Sequence, residues 1–156
     1  RQIGVKMRIV YLHGRMSSPN AKKCEFLREN GHEVFAPKLI SHNWEQSVTA
    51  AREILEKVQP DLVIGSSRGG AVAMATNTTV PMVLICPAWG KYAPWTVCRG
   101  NSTILHSKSD RIVKYSDSEL LATGTGAKLV EIGNDHRMND ENAMKMLLKV
   151  ISEYTS

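Results

Sequence analysis

Six short apolar stretches most limit what this chain can become. They are Met7–Leu12 (MRIVYL), Val34–Ala36, Asp61–Gly65 (DLVIG), Pro81–Cys86 (PMVLIC), Ser102–His106 and Lys128–Ile132. Most are continuous apolar runs, not apolar–polar alternations. A strand with one wet face alternates, whereas a strand covered on both faces does not need to. The segments between them carry helical spacing. Asn43 and Gln46 have the form of a capping box, and behind them Trp44, Val48, Ala51, Leu55 and Val58 recur at helical intervals until Pro60. Met144, Leu147, Leu148, Ile151 and Tyr154 do the same in a last helix from about Asp140 to Tyr154. Ser18-Pro19 reads as an N-cap and first helical position, with Gly31 as the stop. Ala71–Asn77 and Tyr115–Ala122 are two more helices, and Pro87–Asn101 reads as a loop without periodicity. Strand and helix alternate throughout, which predicts a three-layer α/β/α sandwich around a mainly parallel six-stranded sheet.

A length of 156 residues suits one domain. We expect it over residues 7–156, with Arg1–Lys6 either a disordered upstream remnant or a segment added ahead of the domain. At 42% hydrophobic and 22% charged, the composition excludes a disordered or fibrous chain. No apolar run approaches the ~18–20 residues of a membrane span. The net charge of +5 comes from scattered Lys and Arg. Lys22-Lys23 is the densest pair and no aromatics are interleaved, so no nucleic-acid partner is expected. Three cysteines, Cys24, Cys86 and Cys98, form no C-x-x-C pair, which argues against a disulfide framework. The cytoplasm is the expected compartment, and no signal-peptide pattern opens the chain. No set of side chains has convincing metal-ligand spacing, and no cofactor is expected. Gly124–Lys128 contains small residues but precedes a strand and opens no helix, so it reads as a turn and not as a phosphate loop.

In a parallel sheet of this kind, ligands bind at the carboxyl ends of the strands. Four such ends carry chemistry: His13-Gly14-Arg15-Met16, Gly65–Gly70, Asp110 and His136. Gly65-x-Ser67-x-Gly69 is a G-x-S-x-G pattern between a strand and a helix, where bulky neighbours would collide. Glycines flank Ser67 at plus and minus two, which favours it over Ser66. Ser67 also precedes a helix, whose N-terminus stabilises developing negative charge. Among the histidines, His136 follows the sixth strand and comes after the serine. His13 is followed by Gly14 and comes before it, His32 and His42 are poorly placed, and His106 reads as structural. Asp110 is preferred as the acid. Asp117 falls in a predicted helix, and Asp135 adjoins His136, where neighbouring side chains seldom meet.

With these residues in place, the chain resembles the α/β-hydrolase superfamily from Met7 onward, and within it the small cap-less serine esterases of bacteria and phages. The His13-Gly14 strand end, the Gly65–Gly70 elbow, the Ser107–Val113 acid segment and the late His136 carry the resemblance. It implies a minimal α/β-hydrolase fold without a lid domain, lacking the first two of eight strands. It further implies a Ser67–Asp110–His136 triad and an oxyanion hole made by the backbone N–H of Arg68 with that of Arg15, or alternatively Met16. Arg68 is unusual at its position. The expected activity is hydrolysis of a small carboxylic ester, with short acyl chains favoured because Pro87–Asn101 is too short for a lid. Trp89, Tyr92, Trp95 and Met16 are candidates to line the acyl site. Arg15 and Arg68 are candidates to attract anionic substrates, with a solvent-facing role as the plainer account. Thioester, lactone or acyl-peptide hydrolysis would use the same triad, and a non-catalytic binding protein on this fold is the alternative of another class.

Overall fold

The computed structural model describes residues 5–92, 94 and 98–155. Arg1–Gly4 and Trp95 therefore lie outside the described residues. The strands are β1 (Arg8–Leu12), β2 (Glu33–Phe35), β3 (Leu62–Ser66), β4 (Met82–Ile85), β5 (Thr103–His106) and β6 (Lys128–Glu131). The helices are α1 (Lys22–Glu29), α2 (Trp44–Val58), α3 (Arg68–Ala75), α4 (Trp89–Tyr92), α5 (Tyr115–Thr125) and α6 (Glu141–Ser152). The strands form one sheet in the order β2-β1-β3-β4-β5-β6. Every pairing in it is parallel.

The continuous apolar runs now have their reason. Ile9 and Tyr11 of β1 pack on one side of the sheet with Cys24 and Leu27 of α1 and Leu147 and Ile151 of α6. Val10 and Leu12 pack on the other side with Val48 and Ala51 of α2 and Val72 and Met74 of α3. Neighbouring strand residues face opposite layers, and both layers are dry, so successive positions inside the central strands are apolar. All eight residues of α3 are buried, which accounts for its small side chains.

Asn43 caps α2 as the spacing predicts, its side chain accepting from the Gln46 amide at 3.0 Å. The Gln46 side chain does not complete the box. It accepts from the Ile40 amide and donates to the Lys38 carbonyl, tying down the preceding segment. Three other expectations need correction. The first helix begins at Lys22, not Pro19, because Ser18 closes a turn of its own. Its carbonyl accepts from the Ala21 amide at 3.1 Å and its hydroxyl accepts from the Asn20 amide at 3.2 Å. The segment expected to be a loop after β4 contains the four-residue α4, too short to leave a period. The helix expected over Tyr115–Ala122 continues to Thr125, where Gly126 ends it in a left-handed conformation (φ 80°).

The three cysteines are buried and free. Among the described residues, no helix is long and apolar enough to cross a membrane.

Candidate active site

The order of the sheet creates the site. The connection from β1 leads outward to β2, and the chain then returns past β1 to β3 and proceeds the other way. The turns after β1 and β3 therefore diverge, leaving a crevice at their carboxyl ends. Gly14–Met16 follows β1 and Ser67 follows β3, so the crevice lies between them.

The turn at Ser67 is as tight as its glycines suggest. Ser67 has φ 54° and ψ −116°, an unusual conformation for a residue with a side chain. A Cβ on Gly69 would lie 2.0 Å from the Leu12 carbonyl oxygen, and one on Gly65 would lie 2.6 Å from the Gly69 oxygen. Neither clash can be relieved by a side-chain movement, since backbone meets backbone. A Cβ on Gly14 would touch the Ser67 side chain at 3.3 Å, so the β1 turn packs directly against the serine.

Ser67, Asp110 and His136 come together although 69 residues separate the serine from the histidine. Ser67 Oγ lies 2.8 Å from His136 Nε2. His136 Nδ1 lies 2.6 Å from Asp110 Oδ2. A ring nitrogen facing a carboxylate donates, so Nδ1 carries the proton and Nε2 accepts from the serine hydroxyl. The side chain of His136 is 20% exposed, while that of Asp110 is fully shielded.

Asp110 is held from four directions. Its Oδ1 accepts from the amides of Ile112 (2.7 Å) and Val113 (2.8 Å). Its Oδ2 accepts from His136 and from His106 Nε2 at 3.1 Å. Burial alone would raise its pKa, but the donors from His136, Val113 and Ile112 outweigh it and hold the carboxyl below its ordinary value. His106 is fully buried. Its Nε2 also faces the Val113 carbonyl at 3.0 Å, so Nε2 carries the proton. Its Nδ1 accepts from the Ser118 hydroxyl at 2.6 Å. Burial lowers its pKa, and the imidazole is neutral. Sequence reasoning set His106 aside as structural and missed this contact with the acid. The four-residue spacing from His106 to Asp110 was the available signal.

Cys86, His106 and Asp110 present possible ligand atoms within 4.8 Å of one another. Their chemistry does not fit a metal. Both nitrogens of His106 and both oxygens of Asp110 are engaged. Burial, and then the charge of Asp110, raise the pKa of the Cys86 thiol and keep it protonated.

The amides of Arg15, Met16 and Arg68 make no hydrogen bond among the described residues. Arg68 opens α3, whose first amides have no partner within the helix. The other strand-end histidine, His13, is buried and structural. Its Nδ1 donates to the Gly14 carbonyl at 2.9 Å and its Nε2 accepts from the Leu39 amide at 2.9 Å, which fixes the turn carrying Arg15.

Two clefts meet at Ser67 and His136. The first, about 290 Å³, lies beside the β1 turn and the start of α1. The second, about 470 Å³, runs toward α4 and the Ile112–Lys114 segment. Tyr92 lines the second cleft and Met16 lines both. Trp89 lines neither, because its indole donates to the Asp117 carbonyl at 3.0 Å and its ring packs on the core. Arg15 lines both clefts and is exposed.

Arg68 overturns the expectation of a solvent-facing side chain. Only 2% of it is exposed. Its guanidinium donates to Ser47 Oγ at 2.9 Å and to the Ile40 carbonyl at 3.1 Å. It also lies 5.6 Å from the centroids of Trp44 and Tyr92, two rings stacked 5.5 Å apart. The side chain thus knits α2 and α4 to the elbow, and burial lowers its pKa.

Comparison with known proteins agrees with this architecture. The model of the Uncharacterised protein family (UPF0227) matches residues 8–103, which include the turn after β1 and the elbow. No curated protein matches the chain. Among solved structures, an α/β-superfamily protein from Xanthomonas campestris pv. campestris is similar at 18% identity and a TM-score of 0.74, over 96% of this chain and 94% of that one. Est1E from Butyrivibrio proteoclasticus is similar at 16% identity and a TM-score of 0.74, over 96% and 86%. The mouse alpha/beta hydrolase domain-containing protein 10 is similar at 16% identity and a TM-score of 0.72, over 97% and 90%. The fold is that of the α/β hydrolases, and no lid domain is evident among the described residues.

Proposed function

The chain belongs to the Uncharacterised protein family (UPF0227), and on that footing we propose that it is a serine hydrolase acting on short-chain carboxylic esters. The observation that carries this reading is the continuous relay from Ser67 Oγ through His136 to a shielded Asp110.

Ser67 Oγ attacks the ester carbonyl and passes its proton to His136 Nε2. Asp110 keeps the Nδ1 proton and stabilises the imidazolium without itself taking a proton. The amides of Arg68 and Arg15, with Met16 as the alternative to Arg15, receive the oxyanion. Each such donor is worth on the order of 3 kcal/mol. The tetrahedral intermediate collapses, His136 protonates the departing alcohol, and an acyl-Ser67 ester remains. Water then attacks this ester, giving a proton to His136, and the acid leaves as Ser67 recovers its proton.

Preference for short acyl chains rests on the clefts. The second cleft has apolar walls from Ala88 and Val113. Its outer members Met16 and Ile112 are 88% and 74% exposed, so a long chain would remain in water.

Intact-mass analysis after treatment with a fluorophosphonate tests the reading. One adduct is expected on the parent and none on Ser67→Ala. A folded parent that takes no adduct would overturn it and favour a binding protein on this fold.

A further inference from the structure

We propose that the first cleft selects esters bearing a carboxylate or phosphate close to the scissile bond. The proposal rests on the serine-hydrolase reading and adds the charge of the substrate to it.

Arg15, Lys22, Lys23 and Arg137 line this cleft together with Ser67 and His136, and no Asp or Glu does. Three of these cations are exposed. Lys23 is different, with only 5% of it exposed. Its ammonium donates to the Arg137 carbonyl at 2.5 Å and to Asn139 Oδ1 at 2.7 Å. Both acceptors are neutral, and an ammonium has three protons to give. No carboxylate lies within ion-pair distance of it among the described residues.

A buried ammonium without a counter-charge is costly. Burial lowers the pKa of Lys23 to about 8, opposed by the charges of Asp135 and Asp140, neither of which is within ion-pair distance. The two acids are committed elsewhere. Asp135 accepts from the Met138 amide, and Asp140 caps α6 while accepting from the Asn134 amide. Lys23 therefore has no bonded counter-charge among the described residues, and an anion in the cleft beside Ser67 would supply one. The second cleft contrasts with the first, since Asp117 sits among its cations and Ala88, Ile112 and Val113 make it more apolar. The uncharged portion of the ester fits there.

Matched ester pairs test this. One arm compares p-nitrophenyl hemisuccinate with p-nitrophenyl butyrate, placing the carboxylate in the acyl part. A second compares 4-carboxyphenyl acetate with phenyl acetate, and a third uses 4-phosphonooxyphenyl acetate, both placing the anion in the alcohol. In at least one arm kcat/KM is expected to favour the anion by roughly tenfold at low salt. That advantage should shrink at about 0.5 M salt, where the Debye length is only a few ångström. Lys23→Met should remove most of the anionic preference, and the exposed Arg137→Gln should reduce it by a smaller factor. Should Lys23→Met fail to fold, Arg137→Gln and the salt dependence of the parent decide. Equal kcat/KM within each pair, with neutral esters turned over, overturns the proposal and leaves the hydrolase standing. No turnover of any ester, with no fluorophosphonate adduct, overturns both.

Discussion

His106 and His136 lean on the same oxygen of Asp110, yet only one of them is free to move a proton. His136 spends Nδ1 on the carboxylate and turns Nε2 to Ser67, with its side chain 20% exposed. His106 spends Nε2 on Asp110 and the Val113 carbonyl and Nδ1 on Ser118, with nothing exposed. A neighbouring acid therefore does not make a histidine a base. A ring nitrogen left facing the reacting group does, and burial decides which histidine keeps one. On the proposed mechanism His136 transfers the proton, and His106 acts through Asp110 as a positioning residue.

The comparison breaks most visibly at His136. His136→Ala should lower kcat by roughly five decades, because members of such a relay act as a unit. Ester turnover, measured on protein whose fold is checked by circular dichroism, decides the point. A residual rate within tenfold of the parent would show that His136 is not the base.

His106 should matter less and differently. Removing its donor with His106→Leu leaves Asp110 one hydrogen bond short, worth about 1.5–3 kcal/mol for a charged acceptor, or one to two decades in kcat. His106→Gln carries an N–H near the Nε2 position and should recover much of that loss with KM little changed. The variants also differ in acid. The pKa of His106 lies below its ordinary 6.5, so the unfolded chain binds more protons as pH falls through 6.5. Stability is then lost below that pH, before the separate loss from Asp110, whose lowered pKa acts below 3.8. The glutamine variant should flatten the decline in urea midpoint between about pH 6.5 and 4. It should do so only in part, since His13 and His32 are also shifted downward by burial. An unchanged pH profile would mean that His106 is not held neutral.

What could be read from the sequence divides along the same physical line. The sheet was legible because both faces of its central strands are buried, so those strands read as unbroken apolar runs. The elbow was legible because its glycines flank Ser67 at fixed spacing and one of their backbone clashes, Gly65 against Gly69, lies within the turn itself. The start of α1 was not, since Ser18 offered a helix cap and used its oxygens for a turn instead. The burial of Arg68 was not legible either. It depends on Ser47 from α2 and Tyr92 from α4, and nothing near Arg68 in the chain reports how those helices converge. The partnerships of Lys23 with Arg137 and Asn139 span more than a hundred residues and leave no periodic trace.

The smallest effect is the sharpest test of how His106 is oriented. Ser118 is fully buried, and its hydroxyl donates to the Nδ1 of His106. Ser118→Ala leaves that nitrogen buried without a donor, which should cost on the order of 1–2 kcal/mol of stability. The urea midpoint should fall at constant slope. Activity should change by no more than about threefold, because the carboxylate of Asp110 and the carbonyl of Val113 still require a proton on Nε2. The contact with Asp110 would survive, and the relay to Ser67 with it. A loss of kcat as large as that of His106→Leu would reverse the inference. It would mean that the serine, not the acid, sets the tautomer of His106, and that the support of Asp110 begins on α5.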